Sequence, residues 1–170
     1  MKKQFFLAAV ISVLAAATVT AQKSSSFNSS DYKTALGVKV YPGSGGAAVT
    51  IKHFLKKGIA LEGLGYAWER GGRATALLEF HWDIPGAPGL KWYVGPGVHV
   101  SFYNDKYYNR NSYGSSYVTA GLDGVLGLDY KFKKIPLNLS VDWQPSVEFG
   151  DGRYNGFGGD FGGIAARYTF

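Results

Sequence analysis

The chain has 170 residues, enough for one domain with a core and not comfortably for two. It contains no cysteine, so disulfides are excluded, and its formal net charge of +6 is spread too thinly for a nucleic-acid surface. The basic residues gather only in pairs such as Lys56-Lys57 and Lys133-Lys134, for which anionic lipid head groups are a simpler partner.

Residues 1–21 read as a cleavable export signal. Lys2 and Lys3 form a basic start, residues 5–17 are apolar apart from Ser12, and Val19-Thr20-Ala21 supplies small residues for cleavage before Gln22. The apolar stretch is shorter than the ~20 residues of a spanning helix. Removing the two lysines leaves 16 basic and 12 acidic residues, a net charge of +4. Residues 22–31 are Ser-rich and read as a flexible lead-in to a domain spanning residues 32–170. No later segment has eighteen consecutive apolar residues, which leaves a soluble periplasmic β-protein or a membrane barrel.

From Tyr32 onward the chain divides into eight strand-like runs. In the first, Thr34, Leu36, Val38 and Val40 oppose Lys33, Gly37 and Lys39. The second is mixed: His53 shares a face with Val49, Ile51 and Leu55, while Phe54 lies with Thr50, Lys52 and Lys56. In the third, Glu62 is in register with Leu64, Tyr66 and Trp68. A bulge or an aromatic-filled interior would explain both irregular runs. The fourth sets Ala76, Leu78, Phe80 and Trp82 against Thr75, Glu79 and His81. In the fifth, Trp92, Val94, Val98, Val100 and Phe102 oppose Tyr93, Gly95, Gly97, His99 and Ser101. The sixth alternates Val118, Ala120, Leu122, Leu126, Leu128 and Tyr130 with Thr119, Gly121, Asp123, Asp129 and Lys131. The seventh, residues 137–149, is the strictest, with Leu, Val, Trp, Pro and Phe on one face and only polar side chains on the other. The eighth puts Ile164, Ala166, Tyr168 and Phe170 opposite Ala165, Arg167 and Thr169.

Three features favour an eight-stranded antiparallel transmembrane up-and-down barrel over a soluble sandwich. Large aromatics sit near strand ends on the apolar faces, as in interfacial girdles. The polar faces mix charge with glycine and tyrosine, which suits a narrow interior. Short connections alternate with the longer polar loops 104–115 and 150–159. An even strand number places both termini on the periplasmic side, so residues 42–46, 69–73, 104–115 and 150–159 face outward. Hydrocarbon offers no hydrogen-bond partner, so the sheet must close on itself.

The ending Arg167-Tyr168-Thr169-Phe170 resembles the assembly signal of bacterial outer-membrane barrels, although Ala165 stands where that signal prefers glycine. The eight runs, with LKWYVGPGVHVSFY, GLDGVLGLDYKF, IPLNLSVDWQPSVEF and ARYTF, resemble the small OmpA/OmpX-type barrels, in particular those of Bacteroidetes. The resemblance implies an outer-membrane location, and recognition of Tyr168 and Phe170 by the barrel-insertion machinery. It implies no chemistry.

Inward positions are expected to include Lys33, Lys39, Lys52, Glu62, Glu79, His81, His99, Asp123, Asp129, Lys131, Asp142, Glu148 and Arg167. Acids and bases nearly balance, which points to a paired network filling the barrel rather than an ion path or small pore. His99-Val100-Ser101 resembles the His-x-Ser of lipid A deacylases, but both residues point inward and no acidic third member follows closely. A lipid A-modifying enzyme is therefore the alternative reading, with a non-enzymatic barrel preferred. Three His without Cys or close spacing suggest no metal site, and no cofactor is called for. Outer loops are the better place for an activity. Tyr107, Tyr108 and Tyr113, among Asn, Ser and Gly, and Tyr154 in the last loop, give the contact chemistry of an adhesion surface for an extracellular protein or other ligand. Arg70, Arg73 and Arg110 in these loops are expected to pair with lipopolysaccharide phosphates, and Arg153 in the last loop to engage a ligand or partner. A monomer is expected.

Overall fold

The computed structural model describes residues 32–43, 46–68, 71–104, 116–149, 156–159 and 162–170. The expected export signal, the lead-in before Tyr32 and most of the connections expected to face outward lie outside the described residues. The strands are β1 (Thr34–Tyr41), β2 (Gly46–Lys56), β3 (Ile59–Trp68), β4 (Gly71–Asp83), β5 (Leu90–Asn104), β6 (Ser116–Lys131), β7 (Leu137–Trp143), β8 (Ser146–Phe149), β9 (Gly156–Gly158) and β10 (Gly162–Thr169).

All neighbouring strands are antiparallel, and β5 pairs with both β4 and β6, while β1 pairs with both β2 and β10. The sheet therefore closes. β7 and β8 are one stave interrupted at Gln144-Pro145, where proline has no N–H for the ladder, and both halves keep one register against β6. β9 and β10 make the last stave, and their registers against β8 and β7 differ by one residue. The result is a closed eight-stranded antiparallel barrel. The ends meet where Thr34 and Phe170 exchange backbone hydrogen bonds of 3.0 and 2.9 Å.

At the end that carries Tyr32 and Phe170 the connections are short. Lys57-Gly58 joins β2 to β3, with Gly58 at φ 76°. The β6–β7 turn is tied from below by the Lys131 ammonium, which donates to the carbonyls of Phe132 (2.6 Å) and Ile135 (2.9 Å).

The distribution of side chains is inverted relative to a soluble protein. Val38, Val49, Ile51, Leu61, Val98, Leu122, Val141 and Ile164 are outward and exposed, while Lys39, Lys52, Glu62, Glu79 and Asn138 are completely buried inside. The two irregular runs have both suspected causes. Phe54 is buried against Tyr32 with ring centroids 5.1 Å apart, and Leu64 is buried beside Tyr41, Leu77 and Tyr93. The β2–β3 register also shifts between Phe54 and Lys56. Two expectations are corrected. Lys33 shares the inward parity of Ala35 but lies one step beyond the barrel end and is exposed. Arg73 belongs to β4, which begins at Gly71, so the outer connection shortens to residues 69–70.

Candidate functional site in the barrel lumen and mouth

The lumen is layered along the barrel axis. At the closed end Tyr32, Ala35, Phe54 and Ala60 form an aromatic-aliphatic plug. Above it lies an ionic network. Lys52 reaches Glu79 at 2.8 Å, Glu62 at 3.4 Å and Asp129 at 3.5 Å. Its ammonium also sits 4.3 Å from the centre of the Tyr93 ring. Arg167 donates to Thr50 (3.1 Å), Asn138 (3.2 Å) and Ser140 (2.8 Å), and pairs with Glu62. His81 contacts Glu79 at 2.8 Å and stacks on Tyr93. Asp129 accepts from Asn138 at 2.8 Å and from Tyr32 at 3.2 Å. A second unit joins Lys39 to Asp142 at 2.8 Å, with Tyr93 donating to the same carboxylate at 2.6 Å.

This many buried charges survive because each of Lys39, Lys52, Glu62, Glu79, Asp129, Asp142 and Arg167 has an oppositely charged partner at ion-pair distance; an isolated one would carry a desolvation cost of several kcal/mol. Glycine makes the necessary room. Tyr93 is the direct cross-strand partner of Gly127, His99 of Gly121, Leu77 of Gly97 and Arg167 of Gly37. A Cβ on Gly127 would lie 2.6 Å from Tyr93 Cζ and 2.6 Å from Asp142 Cβ. The Tyr93, His99 and Leu77 side chains thus fill the space that the facing glycine leaves empty.

Toward the outer end an apolar layer of Tyr41, Ala48, Leu64, Leu77 and Val125 separates the network from a polar mouth. There Arg73 donates to Asp123 at 2.5 Å, and Gln144 donates to it at 3.3 Å. His99 Nδ1 lies 2.7 Å from Asp123 and 2.9 Å from Arg73. With its proton on Nδ1, His99 donates to Asp123, leaving Nε2 3.9 Å from Glu148. Glu148 accepts from Thr119 at 2.5 Å and from Tyr103 at 3.1 Å. A cavity of about 20 Å³, lined by Tyr41, Leu64, Tyr66, Arg73, Thr75 and Gln144, has room for one water.

Lys39, Glu62, Glu79, His99, Asp123, Asp129, Asp142 and Arg167 are all buried in the lumen. Arg73, expected on an outer loop, instead turns inward, its side chain 12% exposed and ion-paired to Asp123. The parity it shares with Thr75 and Leu77 carried that signal. Arg70, Tyr107, Tyr108, Arg110, Tyr113, Arg153 and Tyr154 lie outside the described residues. Tyr168 and Phe170 face outward with rings 6.3 Å apart. His99 and Ser101 both face the interior, and Ser101 is completely buried. The acid next to His99 is Asp123 on the adjoining stave, a pairing that chain order hides. Tyr93, Asn138 and Gln144 are further members of the networks that sequence reasoning did not single out.

No protein-family model matches the chain. No curated protein matches it significantly. Among solved structures the chain is similar to the N-terminal β-barrel domain of Pseudomonas aeruginosa OprF, with a TM-score of 0.54 and 19% identity, covering 81% of this chain and 94% of that one. At that identity the likeness concerns the fold.

Proposed function

We propose that the chain is a bacterial outer-membrane protein whose barrel spans the bilayer and serves as a structural wall, with its outer loops as the surface for contact with other molecules. One observation carries this reading: an exterior of exposed Val, Ile, Leu, Trp and Phe around a charged interior. In water that arrangement would expose a continuous apolar band and aggregate, whereas in hydrocarbon it is the stable solution. The OprF barrel domain, similar in fold, supports the same setting. Residues 1–21 supply the export route, and the outward Tyr168 and Phe170 the contact for the insertion machinery.

The lumen supports a structural role over a pore, because the plug, the ionic network and the apolar layer succeed one another along the axis. It also supports a non-catalytic role, since Ser101 lies inside the wall, away from lipid, and His99 is engaged by Asp123. The tyrosine-rich loop 104–115 is the surface for a protein or glycan ligand, and Arg70, Arg110 and Arg153 are the residues for lipopolysaccharide phosphates.

Refolding the urea-solubilised chain into phospholipid vesicles tests the reading. The expected product migrates faster on a gel before boiling than after it and resists protease across its strands. A chain that stays in the aqueous phase as a dispersed monomer would refute a membrane-spanning barrel.

A further inference from the structure

Among the described residues, the exposed lysines gather at one end of the barrel. Interior acids and bases nearly cancel, and the outer connections hold Arg70, Lys106, Arg110 and Arg153 against Glu69, Asp105, Asp151 and Asp160. At the opposite end Lys33, Lys56, Lys57, Lys133 and Lys134 are all exposed, and Asp83 is the one acidic side chain there among the described residues. Asp83 faces a sixth lysine, Lys91, at 3.6 Å.

The placement of these lysines matters more than their number. Lys56-Lys57 lie at the turn between the second and third staves, and Lys133-Lys134 at the turn between the sixth and seventh. In a closed ring of eight staves those turns are on opposite sides. A partner protein docking on one flank would meet one pair and miss the other. A surface that surrounds the barrel meets both. Each pair also adjoins the outward apolar band, since Leu55 and Ile135 are exposed at 60% and 48%. The stacked Trp82 and Trp92, 4.4 Å between centroids, lie on the same outward face near that end. Lysine stems can therefore lie along the edge of the band, with ammonium groups at head-group level.

We infer that this basic collar binds anionic phospholipid head groups of the periplasmic leaflet, selecting phosphatidylglycerol-type lipids around the barrel and fixing its depth. The inference rests on the membrane-barrel reading. Its chemistry is a set of ammonium–phosphate contacts, strongest at low ionic strength.

The full chain, refolded into phosphatidylcholine vesicles containing a minor fraction of phosphatidylglycerol, provides the test. Tryptophan quenching is compared when either the phosphatidylglycerol or the phosphatidylcholine carries brominated acyl chains. The expected result is a preference for phosphatidylglycerol of about three-fold or more at low salt. It should vanish at about 0.5 M NaCl. A variant with Lys56, Lys57, Lys133 and Lys134 all replaced by Gln should lose it, and the corresponding Arg variant should keep it. All four positions are exposed, so heat-modifiable mobility should be unchanged in both variants. Equal quenching by the two lipids in a correctly inserted barrel overturns the collar while leaving the membrane reading intact. Failure to insert in either lipid overturns both. Retained selectivity in the Gln variant also overturns it.

Discussion

Arg167 on β10 forms an ion pair with Glu62 on β3, a carboxylate that Lys52 also approaches at 3.4 Å. Between those two strands stand β1 and β2, so the pair spans the lumen and ties together staves that share no backbone hydrogen bond. Thr50 reinforces it, donating to Glu62 at 2.5 Å while accepting from Arg167 at 3.1 Å. The barrel is thus held by its ladder around the circumference and by this network across the bore.

Truncating Arg167→Ala would leave Glu62 with a buried charge that Lys52 alone must balance. We expect a loss of about 3–5 kcal/mol, the range for breaking a wholly buried pair. Removing both charges with Arg167→Met and Glu62→Gln should cost clearly less, because no unpaired charge remains, although Thr50, Asn138 and Ser140 lose a donor. Urea unfolding in vesicles, followed by tryptophan emission, measures both. Equal losses in the single and double variants would mean that the pair is not coupled.

Gly127→Ala places a methyl group where the Tyr93 ring and Asp142 already sit. Overpacking of this kind costs about 1–3 kcal/mol. Gly65→Ala serves as the comparison, since a Cβ there meets nothing within 4 Å. Its stability should change by less than about 0.5 kcal/mol. Combining Gly127→Ala with Tyr93→Ala should relieve the ring's share of the clash, though not the contact with Asp142 Cβ, at the expense of the hydrogen bond to Asp142. A Gly127→Ala barrel as stable as the parent would show that Tyr93 has room to move.

How much of this was legible in the sequence follows from what alternation can and cannot encode. Residues 137–149 announced their two faces directly, and Asn138, Ser140, Asp142, Gln144 and Ser146 are buried as that parity requires. Parity says which side of the wall a residue occupies, so Lys39, Glu62 and Arg167 could be assigned inward before any partner was known. It does not say where a strand stops. Arg73 follows Gly71-Gly72 and reads as a turn residue, yet β4 already runs there and carries it into the mouth. Lys33 shows the opposite case, with inward parity beyond the rim. Cross-strand register is equally hidden. The pairing of Tyr93 with Gly127 and of His99 with Gly121 depends on how far one stave slides against the next, and a single chain carries no such signal.

Val141→Lys tests what surrounds the wall. Val141 is 51% exposed, and its neighbours in register on either side are Leu128 and Ile164, both outward. At that height on the band, a lysine facing hydrocarbon should destabilise the barrel by about 2–4 kcal/mol. A lysine facing water would change stability by less than about 0.5 kcal/mol. Unfolding in vesicles separates the two, and a neutral substitution would count against burial of this face in lipid.

Arg73 offers the sharpest separation between a surface role and an interior one. Its guanidinium is tied to Asp123, a carboxylate whose side chain is fully buried and which His99 and Gln144 also contact. Arg73→Ala should therefore cost stability, about 2–3 kcal/mol, less than for a wholly buried pair because Gln144 and His99 remain in place. Affinity for lipopolysaccharide should not change, since the side chain is turned away from the outer surface. Arg70→Ala with Arg110→Ala should give the reverse, weaker lipopolysaccharide binding and unchanged unfolding. Measuring both quantities on both variants decides the assignment. A lipopolysaccharide defect in Arg73→Ala at parental stability would return Arg73 to the outer surface.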